Sequence, residues 1–348
     1  MKPKKNIETL KPYQVNDIEY RVKLDANESK NFLFKEEELL DLNGINLYPD
    51  NEAFLLKSEM TKLYRITRDQ ITFGNGSSEL LDLLVKSYVN PKDIILSFEP
   101  SFSMYPIYAA LYDATYIAVP SEKDFSLSID LMISYVNKFH PKLVFICSPN
   151  NPTGYLIPKD EILKLVSSTE TLVLVDEAYM EFSSMDNSLI SHVKDYPNLV
   201  IVRTFSKAFG LAGIRLGYMI ASKEIIDTID KVKAPYALNT LTQTIGLKAL
   251  NKYEQVLKHV SEVKEQKNFL SQSLQNLGFR VYPSEGNFVF IYSFIENLYE
   301  KLIQKGILVR AFNNTLTDYY RITVGSSVEN DILIQALKEI KDEKLSNY

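Results

Sequence analysis

The position in this sequence best suited to covalent chemistry is a lysine among small residues. Lys207 stands in TFSKAFGLAGIRLG, residues 204–217, directly after the apolar run Leu199–Val202. Ser206 precedes it, glycines follow it, and Arg215 lies eight residues on. A catalytic amine needs close approach by its ligand, which glycines permit. Ser206 could donate to a phosphate and Arg215 could supply charge to the same group. A plain surface-loop lysine accounts neither for the crowding of small residues nor for the immediate return of apolar sequence.

Three further stretches carry candidate polar chemistry. In VDEAY, residues 175–179, Asp176 is the first polar residue after four apolar ones. In open α/β sheets, ligands bind outside the carboxyl ends of strands. An unpaired carboxylate there is costly, so a cationic partner is expected; a protonated pyridine nitrogen would serve. A helix-capping aspartate is the competing reading. SPNNPTG at 148–154 offers two prolines to fix a turn and two asparagines as amide donors, and alone is an ordinary turn signal. GNGSSE at 74–79 leads into a helix from Ser77, whose first N–H groups form an anion site. Many helices begin this way and bind nothing. Neither the dinucleotide glycine fingerprint nor a phosphate-binding P-loop is present.

These motifs require elements to hold them. Residues 93–98, 115–119, 143–147, 171–175, 199–202 and 216–221 read as buried strands, rich in Val, Ile and Leu as parallel strands covered on both faces should be. Between them lie amphipathic helices over 77–88, with Ser77 as cap, 130–139, and 159–167 behind Pro158. The alternation implies an α/β domain on a mostly parallel sheet. After about residue 245 the character changes. A long helix is expected over 249–277, then strands at 280–282 and 288–292, a helix over 295–305, strands at 307–309 and 320–324, and a final helix over 329–344: a smaller α+β domain. The expected division is an N-terminal arm at 1–40 packing with the small domain, a large domain at 41–245 and the small domain at 246–348.

Composition removes several function classes. The 348 residues carry a net charge of −5, which argues against nucleic acid as the main partner. Cys147 is the sole cysteine, so no intrachain disulfide can form, and its apolar neighbours make it a core residue. His140, His192 and His259 have no metal-ligand spacing and read as surface or loop residues, so no metal is expected. No stretch approaches a membrane span and no leader is apparent, so a cytoplasmic protein is expected.

Taken together and in order, the motifs resemble the fold-type I pyridoxal-phosphate aminotransferases, and most closely the histidinol-phosphate aminotransferase branch. The resemblance runs from KPYQ at 11–14 through LYPD at 47–50, GNGSSE, PSFSMY at 100–105, CSPNNPTG, VDEAYMEF, RTFSKAFGLAGIRLG and EGNF at 285–288 to RITVG at 321–325. It implies an aspartate-aminotransferase-like fold and a pyridoxal 5'-phosphate cofactor carried by Lys207 as a Schiff base. By the same resemblance Asp176 partners the pyridine nitrogen, Tyr179 and Asn151 donate to the phenolic oxygen, and Phe102 stacks on the ring. Ser206, Arg215 and the backbone of Ser77 and Ser78 form the phosphate site, which Tyr48 reaches from the neighbouring subunit of a homodimer with shared active sites. Arg321, Arg310, Tyr13 and Asn287 are implied as substrate contacts. The chain departs from the family in lacking a proline after LDANES and in having Phe102 where a tyrosine is common; the stacking surface survives.

The implied reaction is transamination of the phosphorylated amino alcohol histidinol phosphate with the 2-oxo acid 2-oxoglutarate, a step of histidine biosynthesis. An aromatic-amino-acid aminotransferase or a threonine-phosphate decarboxylase on the same frame would share the cofactor motifs. A non-catalytic pyridoxal-phosphate-binding regulator is disfavoured, because no basic DNA-binding segment precedes residue 47.

Overall fold

The computed structural model describes residues 2–8, 10, 18–39, 44–313 and 316–346. Among these residues twelve strands form two sheets: β1 Val22–Leu24, β2 Ile71–Asn75, β3 Ile94–Glu99, β4 Thr115–Pro120, β5 Leu143–Cys147, β6 Leu172–Asp176, β7 Leu199–Thr204, β8 Leu216–Ile220, β9 Arg280–Tyr282, β10 Phe288–Tyr292, β11 Ile307–Ala311 and β12 Tyr319–Thr323. The larger sheet has the order β2-β8-β7-β6-β5-β3-β4, and the smaller β1-β11-β12-β10-β9.

Every residue of β5 and β7 is buried, as continuous apolar runs covered on both faces require. From β7 through β4 the pairs are parallel. β8 is the exception to the expectation of parallel strands, since it runs antiparallel to both β7 and β2. The reason is the length of its connection. Residues 205–215 are too few for a helical crossover, so the chain turns back at the edge where β7 ends. That return places the amino end of β8 beside the carboxyl ends of β2, β3, β5, β6 and β7. Nearly every candidate polar motif sits along this one edge.

Three expectations need correction. The helix over 249–277 is two helices, Thr240–Leu250 and Tyr253–Asn276, broken by a turn at Asn251 and Lys252 that closes with Lys252 N–H on the Ala249 carbonyl at 3.0 Å. Asparagine competes poorly for helix interiors, which favours the break there. The helix over 295–305 spans only Leu298–Gln304, because Asn297 ahead of it is left-handed at φ 52°. Ser77 is not a cap: it is the first helical residue, and Gly76 at φ 78° holds the capping position with no side-chain acceptor. Strand β2, with its glycine, escaped the apolar-run criterion altogether.

β1 extends the smaller sheet by pairing in parallel with β11, Val22 opposite Ile307. This pairing carries residues 25–34 across the edge of the larger sheet. Ser29 Oγ reaches the Lys207 carbonyl at 3.4 Å, and a Cβ on Gly210 would meet the Phe32 ring at 2.9 Å. Phe32 also stacks on His259 at 3.8 Å, so His259 is a partly buried residue of a long helix and not a loop residue.

A buried charge network braces the carboxyl ends of β6 and β7 from behind. Arg203 is fully buried, and its Nε and Nη2 donate to Glu177 Oε2 at 2.9 and 2.7 Å. Its Nη1 reaches Glu181 Oε1 and the Tyr64 hydroxyl, both at 3.3 Å. Two carboxylates on one cation leave excess negative charge, and burial pushes the Glu181 carboxyl upward. Removing one member of such a network leaves an uncompensated buried charge, at a cost of about 3–5 kcal/mol.

Candidate active site

The sheet edge converts sequence separation into proximity. β5 delivers Asn151, β6 delivers Asp176 and Tyr179, and β7 delivers Ser206 and Lys207. β3 leads to Phe102, β2 to Ser77 and Ser78, and the start of β8 follows Arg215 directly. β12 of the smaller sheet brings Arg321 to the same place, since Arg321 Nη1 donates to Asn151 Oδ1 at 2.6 Å.

Lys207 is half-buried, and its Nζ donates to the Ala26 carbonyl at 2.8 Å. Burial, with the charge of Arg321 second, lowers its pKa to about 7. An amine so placed is a nucleophile and a base near neutrality. Asp176 is 4% exposed, and burial raises its pKa to about 6. Its partners are neutral donors, Tyr105 Oη at 3.1 Å and the Ala178 N–H at 3.1 Å; no ion pair to it occurs among the described residues. A raised carboxyl pKa means that the folded state holds its proton more tightly than the unfolded state. Stability from this group is therefore full below its ordinary value and is lost as pH rises through about 6. A cationic ligand beside Asp176 would remove that penalty. The helix-cap reading of Asp176 fails, because no helix of full length follows β6.

An anion cradle lies beside these groups. The helix Ser77–Tyr88 opens on N–H groups that no capping side chain satisfies. Arg215, left-handed at φ 54°, turns its guanidinium over Gly76, where a Cβ would stand 2.4 Å from Nη2. At Gly217 a Cβ would stand 2.2 Å from the backbone nitrogen of Ser77. Only glycines let β8, the helix N-terminus and Arg215 close together. Ser206 Oγ joins them, 3.4 Å from Arg215 Nη1 and 2.9 Å from Thr204 Oγ1.

The remaining candidates are distributed unevenly. Phe102 is half-buried and meets Tyr105 edge-on at 5.5 Å. Tyr179 is buried, with Asn27 Nδ2 donating to its hydroxyl at 3.0 Å. Asn287 is buried, donates to the Asn27 carbonyl at 3.2 Å, and has no hydrogen-bond partner for Oδ1. Arg310 and Arg321 stand opposite each other across β11 and β12, which puts two like charges on one sheet face. Tyr48 is 81% exposed and stacks on Tyr236. Tyr13 lies outside the described residues. Cys147 is buried, and burial raises its thiol pKa strongly, so it is a core residue and not a reactive one. No metal-ligating cluster occurs among the described residues.

Sequence reasoning missed Tyr105, which touches Asp176, as well as Tyr108, Thr204 and Asn27. Tyr108 Oη donates to the Ser78 carbonyl at 3.0 Å. The signal for Tyr105 lay in PSFSMY: it stands in the first turn of the helix Met104–Leu111, three residues past Phe102, whose ring it meets edge-on.

The family model for aminotransferase class I and II matches residues 19–337. A histidinol-phosphate aminotransferase of Thermoanaerobacter sp. (strain X514) is 38% identical over 347 residues, covering 97% of this chain and 98% of its own length. One from Pyrococcus furiosus is 39% identical over 337 residues, covering 95% and 96%. Among solved structures, the histidinol-phosphate aminotransferase from Sinorhizobium meliloti in complex with pyridoxal-5'-phosphate superposes with a TM-score of 0.90 at 23% identity, over 98% of this chain and 97% of the other. The L-threonine-O-3-phosphate decarboxylase from Porphyromonas gingivalis gives 0.77 at 24% identity, over 92% and 99%. At these identities the structures establish a shared fold, fold type I.

Proposed function

The chain belongs to the aminotransferase class I and II family, and we propose that it is the pyridoxal-phosphate-dependent transaminase acting on histidinol phosphate and 2-oxoglutarate in histidine biosynthesis. The observation that carries the chemistry is the buried Asp176 carboxylate, supplied with neutral donors only, near a half-buried amine of lowered pKa. The residues present fit the cofactor: a carboxylate for a ring cation, an amine for covalent attachment, and a cradle of Gly76, Ser77, Ser206 and Arg215 that a Cβ would fill. The substrate follows the relatives named above, histidinol-phosphate aminotransferases at 38% and 39% identity over nearly the whole chain.

In this reading Lys207 holds the cofactor, Asp176 faces its ring nitrogen, and Tyr179 and Asn151 donate to its ring oxygen. Phe102 stacks on the ring, while Ser206, Arg215 and the N–H groups of Ser77 and Ser78 take the phosphate. When bound, the group supplies an electron sink for the pair left at the substrate α carbon. Lys207, neutral above about pH 7, takes the α proton as base and later returns a proton as acid. Asp176, ionised through the same range, keeps a proton on the nitrogen it faces. Arg321, with Arg310 opposite, holds the substrate anion, and Asn287 borders it. Tyr13 is assigned to the substrate from its sequence motif alone. The division into an arm at 1–40, a large domain at 41–245 and a small domain at 246–348 belongs to the same reading, as does a cytoplasmic location. No helix among the described residues is long and apolar enough to cross a membrane.

The reading is tested by a panel of amino donors with 2-oxoglutarate. Histidinol phosphate should give the highest kcat/KM, ahead of histidinol and phenylalanine. Release of carbon dioxide from threonine phosphate without an amino acceptor would instead make the chain a decarboxylase.

A homodimer with shared sites completes the proposal. Ile45, Leu47, Tyr48, Phe54, Leu55 and Tyr236 are exposed apolar side chains around the turn that bears Tyr48, an area that a second copy would cover. Sedimentation should give twice 39.9 kDa. Mixed refolding of Tyr48→Ala with Lys207→Ala chains should recover activity that neither variant has alone, because a hybrid dimer contains one intact site. A fully active monomer, or no recovery on mixing, defeats the shared site.

A further inference from the structure

Asn27 is polar, wholly buried, and left-handed at φ 53°, a conformation asparagine tolerates better than most residues. It belongs to the arm and to none of the motifs above that carry chemistry. Its hydrogen bonds join the arm to β12 and to Tyr179. The Asn27 backbone N–H donates to Thr323 Oγ1 at 2.9 Å. Thr323 Oγ1 donates its own hydrogen to Asn27 Oδ1 at 3.2 Å. With Oδ1 so fixed, the amide face toward Tyr179 is Nδ2, a donor only, at 3.0 Å from Oη. A phenolic oxygen that accepts from Asn27 must direct its hydrogen away from it. The Asn27 carbonyl is anchored in turn by Asn287 Nδ2 at 3.2 Å.

We propose that Asn27, locked by Thr323, is a positioning residue that commits the Tyr179 hydroxyl to donate into the site, toward the ring oxygen of the bound cofactor. This rests on the function proposed above. The groups acting on Tyr179 are Arg321, Asp176 and Cys147, with Lys207 Nζ 5.8 Å from its ring. Burial raises the Tyr179 pKa to about 12, so its proton is present throughout any practical assay range.

A donor to the ring oxygen competes with the neighbouring Lys207 nitrogen for that oxygen, and so lowers the pH at which the attached Nζ gives up its proton. The visible band of the loaded protein reports that event without turnover. Asn27→Asp presents an acceptor where Nδ2 stood, turns the Tyr179 hydrogen back, and should raise the spectral midpoint by about one pH unit, the scale of one hydrogen bond to a charged group. Asn27→Ala leaves the hydroxyl free to donate inward and should move the midpoint much less. On the Tyr179→Phe background the effect of Asn27→Asp should largely vanish. An equal shift for Asn27→Ala and Asn27→Asp, or an undiminished shift on the Tyr179→Phe background, overturns the inference in favour of looseness or simple charge. If Asn27→Asp does not fold, Thr323→Val frees the amide to turn over without adding charge. It should raise the midpoint in the same direction, and an unchanged midpoint there overturns the inference equally. A wild type with no visible band after cofactor is added defeats the functional reading and this inference with it. A wild-type band whose midpoint ignores Asn27→Asp defeats the inference alone.

Discussion

Lys207→Ala should abolish the visible absorption of cofactor-treated protein and reduce transamination by at least about 10⁴-fold, because it removes both the attachment point and a general base worth ~10²–10⁴ alone. The expectation rests on the absence of a substitute among the described residues that act on Lys207. Lys23, the other lysine acting electrostatically on Lys207, is engaged with Asp25 and Glu28. Arg215 and Arg321 are too basic to act as bases. Wild-type protein should also load cofactor in a pH-dependent way. Below about pH 7 the Lys207 amine holds its proton and attacks slowly; above it the rate should level off. Stopped-flow recording of the visible band gives this profile. The Ala26 carbonyl that accepts from Nζ is backbone, so Lys207→Ala leaves a small gap and not a buried charge, and circular dichroism should be unchanged. Turnover near the wild-type rate in Lys207→Ala would remove Lys207 from its role.

The parts of this site that could be read from sequence are those written within one turn of a strand end. Asp176 ends an apolar run, Ser206 and Lys207 follow another, and the glycines around Arg215 announce a close approach before the structure specifies it. Six of the seven strands of the larger sheet were readable for the same reason, since strands buried on both faces need unbroken apolar stretches; β2, interrupted by Gly74, was not. What escaped depends on contacts between distant residues. The direction of β8 is set by the brevity of residues 205–215, a property of the connection and not of the strand. Asn27 meets Tyr179 across 152 positions and Thr323 across 296. A polar strip in an N-terminal arm does not say which acceptor it will find. Nothing in the sequence marks Arg203, and its burial against Glu177 and Glu181 appears only once β6 and β7 are adjacent.

Arg321→Ala should lower kcat/KM for histidinol phosphate and for glutamate alike, by about 10²–10⁴-fold, if the guanidinium makes two charge-assisted bonds worth roughly 1.5–3 kcal/mol each to the substrate anion. Both substrates must use one pocket, and both carry an anionic group that a planar fork can hold. The Arg321 guanidinium is held by the protein itself. Its Nη1 bonds Asn151 Oδ1 at 2.6 Å, its Nη2 bonds the Asp25 carbonyl at 2.5 Å, and it lies over the Phe288 ring at 5.7 Å. A guanidinium fixed on three sides loses little freedom on binding. The bond to Asn151 extends the effect. With Oδ1 occupied by Arg321, the Asn151 amide nitrogen is left to face the site, so Arg321→Ala should depress kcat as well as raise KM. Arg321→Lys keeps the charge but not the fork, and should recover only part of the loss. Arg310 stands opposite Arg321 and is half-buried, so Arg310→Ala should cost less and should fall more heavily on the doubly charged phosphate than on the carboxylate. Steady-state kinetics with histidinol phosphate, histidinol, phenylalanine and glutamate separate these terms. A preference for phenylalanine, with no gain from the phosphate, would transfer the chain to the aromatic-amino-acid aminotransferases and leave Arg321 as a carboxylate ligand alone.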